Sequence, residues 1–157
     1  MFRPFLAVLF VFGLSAATAL AAAPNGMQLP SQPKIRPAGI PNGFMMVSPC
    51  VQGMGEHWVD PKSKSAMTGP IFGTYQGKPV FSEIMMTREQ LQKGFNYTNL
   101  MALPGYTIDH INVNFEPHGH PGMPFPHYDL HAYYVSAAEQ VKICPNGLPD
   151  PAMNATR

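Results

Sequence analysis

The chain carries little charge, and neither sign of charge prevails. Lys and Arg number 10 and Asp and Glu number 9 in 157 residues, and charged residues make up only 12% of the chain. Nucleic acids and anionic lipid surfaces are held by clusters of basic side chains, whose field this balance does not supply. The composition therefore excludes nucleic acid as a partner.

Long apolar runs are also scarce, and the most prominent one lies at the N-terminus. Arg3 is followed by an apolar run over 4–14 and by the small residues of 15–23. This order is typical of a secretory signal peptide with cleavage after Ala21, and the apolar run is too short for a transmembrane helix. We therefore predict a periplasmic or secreted bacterial protein, with no stable membrane anchor after the signal peptide is removed.

Cysteine occurs only twice, at Cys50 and Cys144. An even number of cysteines in an exported chain most often forms structural disulfides, because the compartment is oxidising. We predict a Cys50–Cys144 disulfide that closes a loop of about 95 residues and stabilises the fold by about 4 to 5 kcal/mol. The alternative is that both thiols bind metal, and their distance from the histidines in the sequence argues against it.

The motifs of common hydrolases are missing. The chain contains no His-Glu-x-x-His, no Gly-x-Ser-x-Gly and no glycine-rich phosphate loop. His118 and His120 have the spacing found in cupins, but Pro124 and Phe125 stand where the cupin glutamate is expected. Methionine is frequent, with 11 residues, yet no Met-x-x-Met array presents thioethers to Cu(I). No familiar catalytic class is therefore indicated.

We expect four segments in the chain: a signal peptide over 1–21, a Pro-rich extended arm over 22–43, a single domain over 44–145 and a tail over 146–157. About 136 residues remain after cleavage, which is enough for one hydrophobic core. The domain alternates short β-type runs with brief helical signals. We therefore predict an α+β fold, with a mainly antiparallel β-sheet or partial barrel and one or two short helices.

A hairpin is predicted from the runs 71–77 and 78–86, which meet at a Gln-Gly turn. Pro79 cannot donate a hydrogen bond to a β-ladder, so its strand is expected at an edge of the sheet. Two capping boxes predict short helices: Thr87 to Gln90, before a helix over 88–93, and Ser136 to Glu139.

Two later runs, 108–116 and 127–135, alternate polar and apolar residues as strands do. We predict that the Pro-rich loop between them closes an antiparallel pair with Glu116 opposite His127. This register gathers the polar side chains on one face and turns the apolar residues of both strands to the core. The other polar pairs that it predicts are Asn114 with Asp129 and Asn112 with His131.

Histidine is concentrated in one short segment. Four of the six histidines of the chain lie within 14 residues, together with an aspartate: His118, His120, His127, Asp129 and His131. Imidazole is the commonest protein ligand for transition metals. We therefore predict a divalent transition-metal site, with zinc as the default metal, while copper or iron fits the same donors.

Strand geometry limits how these ligands can share an ion. Residues four apart on a flat strand are about 13 to 14 Å apart, so His127 and His131 reach one ion only if the strand is bent or bulged. Otherwise they serve different ions or different roles. Asp129 lies between them, as a ligand or as an acceptor that orients an imidazole N–H. The remaining ligands are expected from His118 or His120, or from His57 beside the sole tryptophan.

Three parts of the chain together resemble a known family: Gly55-Glu-His-Trp58, the run over 70–83, and the segments 117–121 and 126–134. They are similar to the small, exported, uncharacterised bacterial domain typified by a Thermus ring-forming protein under the control of an extracytoplasmic sigma factor. The most distinctive motifs are Gly-x-His-Trp and Pro-His-x-Asp-x-His, and the resemblance covers residues 44–145. It implies an α+β fold and homo-oligomer formation, with no established activity.

Two functional hypotheses follow from the residues. The first is an exported metal-binding protein of the bacterial envelope, whose ion is fully ligated by protein or whose histidines bridge subunits. It is favoured because no nucleophile or substrate motif accompanies the histidines. The second is a metal-dependent enzyme of hydrolase or lyase type, acting on an unknown small molecule, with Asp129 or Glu116 as proton acceptor. In either case metal occupancy is expected to fall below about pH 6, where imidazoles take up protons.

Overall fold

The structure is a computed structural model that describes residues 35–63, 68–120 and 122–150. The predicted signal peptide, most of the predicted arm and the end of the predicted tail lie outside these residues. The described part is α+β, with one six-stranded antiparallel sheet, which is not closed, and two short helices. The predicted fold class is confirmed, and the open sheet rather than the partial barrel is observed.

Six strands and two helices follow one another along the described chain: β1 Met45–Met46, β2 Glu56–Val59, β3 Ile71–Tyr75, β4 Lys78–Thr87, α1 Arg88–Gln92, β5 His110–Glu116, β6 His127–Tyr133 and α2 Ala137–Gln140. The order in the sheet is β1-β2-β3-β4-β6-β5, and every neighbouring pair is antiparallel. Strand β6 therefore lies between β4 and β5, in the interior of the sheet.

Strands β3 and β4 form the predicted hairpin. The turn residues Gln76 and Gly77 have φ angles of 50° and 76°, the combination that matches the twist of a two-residue hairpin. The prediction that Pro79 marks an edge strand was wrong, because β4 has β3 on one side and β6 on the other. Pro79 is tolerated because pairing with β6 begins only at Phe81, so the missing N–H interrupts no bond on that side.

Both short helices begin at the predicted capping boxes. The Gln90 backbone N–H donates to the Thr87 hydroxyl, and the Thr87 N–H donates to the Gln90 side chain. Ser136 and Glu139 make the same reciprocal bonds before α2. Each exchange satisfies two backbone donors that a helix terminus or its flanking residue would otherwise leave unpaired. Neither helix of the described residues is long and apolar enough to cross a membrane.

The predicted register of β5 and β6 is confirmed. The polar pairs are Glu116 with His127, Asn114 with Asp129 and Asn112 with His131. The predicted burial of β5 was wrong, since its apolar side chains are largely exposed: Ile111 57%, Val113 62% and Phe115 40%. The reason is that other parts of the chain cover the polar face instead, where Gln140 of α2 bonds to His110 and Asn112 of β5.

The predicted disulfide between Cys50 and Cys144 is present, and it joins positions 94 residues apart. Both cysteines belong to an apolar cluster that also contains Phe81 and Tyr133, two residues whose side chains lie on the face of the sheet that carries the histidines. The disulfide therefore fixes the core directly beside that face.

The packed structure extends past both ends of 44–145. Ile40, from the segment expected to be an extended arm, is buried against Trp58 and Phe72 on the other face of the sheet. At the other end, Leu148 forms a β-bridge with Val51, and Asp150 is buried. Residues near both ends of the described chain therefore contribute to the folded unit.

Candidate metal centre

Two groups of side chains on the polar face have the composition and spacing of metal sites. We name His120, His127 and Asp129 the loop triad, and His57, Glu83 and His131 the strand triad. In each triad three potential ligand atoms lie within 4.8 Å of one another. Two imidazoles and one carboxylate form a donor set used by zinc and by iron(II). Either triad could therefore hold a divalent metal ion.

The loop triad lies where the Pro-rich loop enters β6. His127 Nε2 lies 3.0 Å from Asp129 Oδ1 and 3.0 Å from His120 Nε2, and His120 Nε2 lies 3.7 Å from Asp129 Oδ2. Because His127 and Asp129 alternate along a strand, they share one face, and the loop brings His120 to them. Ligands about 2.1 Å from a tetrahedral zinc ion are about 3.4 Å apart, so these separations suit one ion.

The position of His120 depends on a tight turn in the loop. His120 and Met123 exchange two backbone hydrogen bonds, of 3.1 and 2.9 Å. Gly119 has a φ angle of 65°, and a Cβ there would collide with the Met123 carbonyl, so only glycine fits. The Met123 side chain is buried against Ile71 and Met85. Met123 therefore anchors the turn that carries His120.

The hydrogen bonds of His127 assign its tautomer. Its Nδ1 lies 2.7 Å from the Phe125 carbonyl oxygen, which can only accept, so Nδ1 donates. When the ring carries only that proton, Nε2 accepts a hydrogen bond from His120 Nε2 at 3.0 Å, and it also faces Asp129 Oδ1, an atom that accepts no hydrogen bond from the described residues. Two electron-rich atoms 3.0 Å apart repel each other unless a cation or a proton lies between them.

The strand triad is assembled from β2, β4 and β6. Glu83 stands directly opposite His131 in the sheet. Its Oε1 lies 3.4 Å from His131 Nε2, and its Oε2 lies 3.9 Å from His57 Nε2. The carboxylate is therefore placed between the two imidazoles, with one oxygen directed to each.

The ring of Phe81 forms an apolar wall of the strand triad. Its centroid lies 4.9 Å from that of His131 and 5.4 Å from that of His57. The ring fits over β3 because Gly73 has no side chain, and a Cβ there would collide with it. Burial lowers the pKa of His131 to about 4, and burial with the charges of His131 and His120 lowers the pKa of His57 to about 3. Both imidazoles are therefore neutral at pH 7 and retain a lone pair for a metal.

Burial raises the pKa values of the neighbouring carboxylates, whereas it lowers those of the imidazoles. Burial first, and then the charges of Asp129, Asp150 and Glu116, raise the pKa of Glu83 well above its ordinary value. Burial and then Asp129 raise the pKa of Glu116 to about 7. Each carboxylate disfavours the charge of the next because they share one poorly solvated region. A divalent cation would supply the positive charge that this region lacks.

The candidate residues identified from the sequence fall into distinct places. His120, His127 and Asp129 come together in the loop triad, while His131 and His57 lie in the strand triad. Glu116 is buried opposite His127, and His118 is exposed and belongs to neither triad. Glu83 was not identified from the sequence. Its signal in the sequence was a carboxylate in the middle of the largely apolar strand β4, where a buried charge requires a partner.

A solved structure is similar in fold and sequence to this chain. It is that of hypothetical protein TTHB210 from Thermus thermophilus, which is 26% identical over 68% of this chain and 90% of that chain, with a TM-score of 0.53. No protein-family profile and no curated protein matches the chain. The similarity to a hypothetical Thermus protein agrees with the family resemblance seen in the sequence, and it indicates no activity.

Proposed function

We propose that this protein is an exported metal-binding protein whose ion is held by the loop triad. The observation that carries the proposal is the approach of His127 Nε2 to Asp129 Oδ1 at 3.0 Å, with the proton of the ring held on Nδ1 by the Phe125 carbonyl. A carbonyl that orients a ligating imidazole through its other nitrogen is a recurring feature of metal sites. The Cys50–Cys144 disulfide supports export, because such bonds persist in oxidising compartments.

Zinc is the metal that we propose for this site. Zinc takes histidine and carboxylate ligands in tetrahedral sites, and the separations within the loop triad are close to those of such a site. Iron(II) and copper(II) accept the same donors. Elemental analysis of the protein purified from its exported location, without added metal, therefore identifies the ion.

The variant Asp129→Asn tests the loop triad, because it keeps the size of the side chain and removes its charge. After chelation, calorimetric titration with zinc should show binding at this site weakened more than about tenfold, or about 1.4 kcal/mol. Asp109→Asn is the matched control, since Asp109 is half-exposed, precedes β5 and lies outside both triads. A wild-type chain that binds no zinc, or an Asp129→Asn chain that binds zinc as the wild type does, would contradict the proposal.

A metal-dependent enzyme is the second candidate, and the number of ligands favours it. The loop triad supplies three protein ligands, the number found in catalytic zinc sites with an open fourth position. The His120 side chain is 29% exposed, so this triad has a side toward solvent. Glu116, opposite His127 and with its pKa raised to about 7, is the proton acceptor in this proposal, because Asp129 is engaged as a ligand.

Ester hydrolysis separates the two candidates. Zinc-loaded protein is assayed with p-nitrophenyl acetate and with p-nitrophenyl phosphate, as an acyl and a phosphoryl substrate. If the site is catalytic, Glu116→Gln should lower kcat about 100-fold or more while the zinc content is unchanged. Rates equal to those of the metal-free protein would contradict an esterase or phosphatase activity of the site and leave metal binding intact.

A further inference from the structure

We propose that the strand triad holds a second metal ion, separate from the ion of the loop triad. Each chain then binds two ions through six different side chains, and no ligand is shared. The second site does not depend on the proposed function, because its ligands come from β2, β4 and β6 and none belongs to the loop.

Unsatisfied polar atoms are the first support for this second ion. Glu83 Oε2 and His131 Nε2 are buried and make no hydrogen bond within the part of the chain that the structure describes. Both side chains are only 3% exposed. A buried polar atom without a partner destabilises a fold by about 1 to 3 kcal/mol, and such atoms are uncommon in native structures. One ion between Glu83 and His131 would satisfy both atoms together.

The orientation of His57 is the second support. Ser48 Oγ accepts a hydrogen bond from the His57 backbone N–H at 2.9 Å and donates to the Pro49 carbonyl at 3.0 Å. When that hydrogen is given to the Pro49 carbonyl, Ser48 Oγ accepts from His57 Nδ1, which lies 2.7 Å away. In this arrangement the lone pair of His57 lies on Nε2, the atom directed to Glu83. The Phe125 carbonyl holds His127 of the loop triad in the same tautomer.

Strand geometry keeps the two ions apart. Asp129 belongs to one triad and His131 to the other, and alternate residues of a strand are about 6.5 to 7 Å apart. The ions of bridged two-metal sites are about 3.5 to 4 Å apart. We therefore expect two mononuclear sites rather than one bridged pair.

Metal stoichiometry of matched variants tests the proposal. The mature chain with its disulfide intact is stripped with a chelator, reloaded with Zn²⁺ and desalted, and zinc per chain is measured by elemental analysis. We expect two ions in the wild type and one ion each in Asp129→Asn, Glu83→Gln and His57→Gln. Glu56→Gln is the control and should retain two ions, because Glu56 is a buried carboxylate of β2 that accepts from Thr74 outside both triads.

The possible results separate the two proposals. One ion in the wild type that is lost in Asp129→Asn and kept in Glu83→Gln overturns the second site and leaves the proposed function standing; the pair of Glu83 and His131 is then held by a proton. One ion with the opposite pattern supports the strand triad and contradicts the loop triad. Loss of both ions in either variant, with metal–metal scattering near 3.5 to 4 Å in X-ray absorption, overturns the separation of the sites. His57→Gln keeps the test decisive if circular dichroism shows that Glu83→Gln does not fold, because the His57 side chain is 16% exposed.

Discussion

The loop triad and the strand triad offer the same three donor groups, but different parts of the fold hold them. The ligands of the loop triad lie within residues 120–129, at one end of β6 and in the loop before it. The ligands of the strand triad come from three strands and are brought together only by the sheet. A loop opens at a lower free energy than a sheet. An ion in the loop triad should therefore be linked to local opening, and an ion in the strand triad to unfolding of the whole domain.

The ligands of the loop triad are also more exposed to solvent than those of the strand triad. The most exposed ligand of the loop triad, His120, is 29% exposed, whereas the most exposed ligand of the strand triad, His57, is 16% exposed. Because the donor groups are the same, we expect the ion of the more exposed loop triad to exchange with solvent faster than the ion of the strand triad. Variants that weaken one triad at a time therefore test this difference.

Loss of the disulfide should have the largest effect and should weaken the strand triad more. The double variant Cys50→Ala, Cys144→Ala should lose about 4 to 5 kcal/mol of unfolding free energy, because the bond closes a long loop in the unfolded chain. Its cluster includes Phe81, the ring that contacts His57 and His131. Urea unfolding of the metal-free protein measures the first effect. Zinc titration in an Asp129→Asn background and in a Glu83→Gln background measures the second, for the strand triad and the loop triad respectively. Equal weakening of zinc binding at both triads would contradict the expected difference between them.

Truncation of Met123 should act on the loop triad instead. Met123→Ala removes the side chain that seats the turn carrying His120 and should destabilise the domain by about 2 to 4 kcal/mol. Zinc binding at the loop triad, measured in a Glu83→Gln background, should weaken more than about tenfold. Zinc binding at the strand triad, measured in an Asp129→Asn background, should not change. Met101→Ala is the control, since Met101 is 70% exposed. A weakened strand triad in Met123→Ala would show that the two triads are not independent.

The metal-free protein should be most stable in mildly acidic solution. The folded-state pKa values of His57 and His131, about 3 and 4, lie below the ordinary 6.5, so these residues lower stability as the pH falls below 6.5. The folded-state pKa values of Glu83 and Glu116 lie above the ordinary 4.5, so these residues lower stability as the pH rises above 4.5. Between pH 4.5 and pH 6.5 the effect of the histidines on stability opposes that of the carboxylates. Above pH 6.5 only the carboxylates act, so the unfolding free energy of the metal-free protein should fall as the pH rises to 8.

Bound metal should reverse the loss of stability that is expected above pH 6.5. An ion in the strand triad requires a deprotonated Glu83, so the loaded protein should gain stability as the pH rises. The expected loss of metal below about pH 6 assumes ordinary imidazoles. In the strand triad the lowered pKa values of His57 and His131 remove proton competition by the imidazoles, so protonation of Glu83, whose pKa is raised, should control the loss of metal there. Urea unfolding from pH 4 to 8, with chelator and with zinc, measures both curves. Parallel curves would contradict a metal bound through Glu83.

The sequence predicted the loop triad better than the strand triad for a physical reason. Alternation along a strand places His127 and Asp129 on one face whatever the rest of the chain does, and the pairing of two polar faces fixed the register with β5. The approach of His57 and Glu83 to His131 depends on the order of four strands, which no local pattern encodes. The exposed apolar face of β5 was missed because burial depends on which face the loop and α2 cover. Homo-oligomer formation stays a prediction from the family resemblance, which light scattering can check.

Removal of the His118 side chain should have the smallest effect, and it tests which histidine of the loop binds the ion of the loop triad. His118 is exposed and lies outside both triads, while His120, two residues later, is held by the turn with Met123. His118→Ala should change the unfolding free energy by no more than about 0.5 kcal/mol and should keep both ions. His120→Ala should lose the ion of the loop triad alone. Elemental analysis of the two variants side by side measures the contrast, and loss of an ion in His118→Ala would mean that His118 must be included among the ligands.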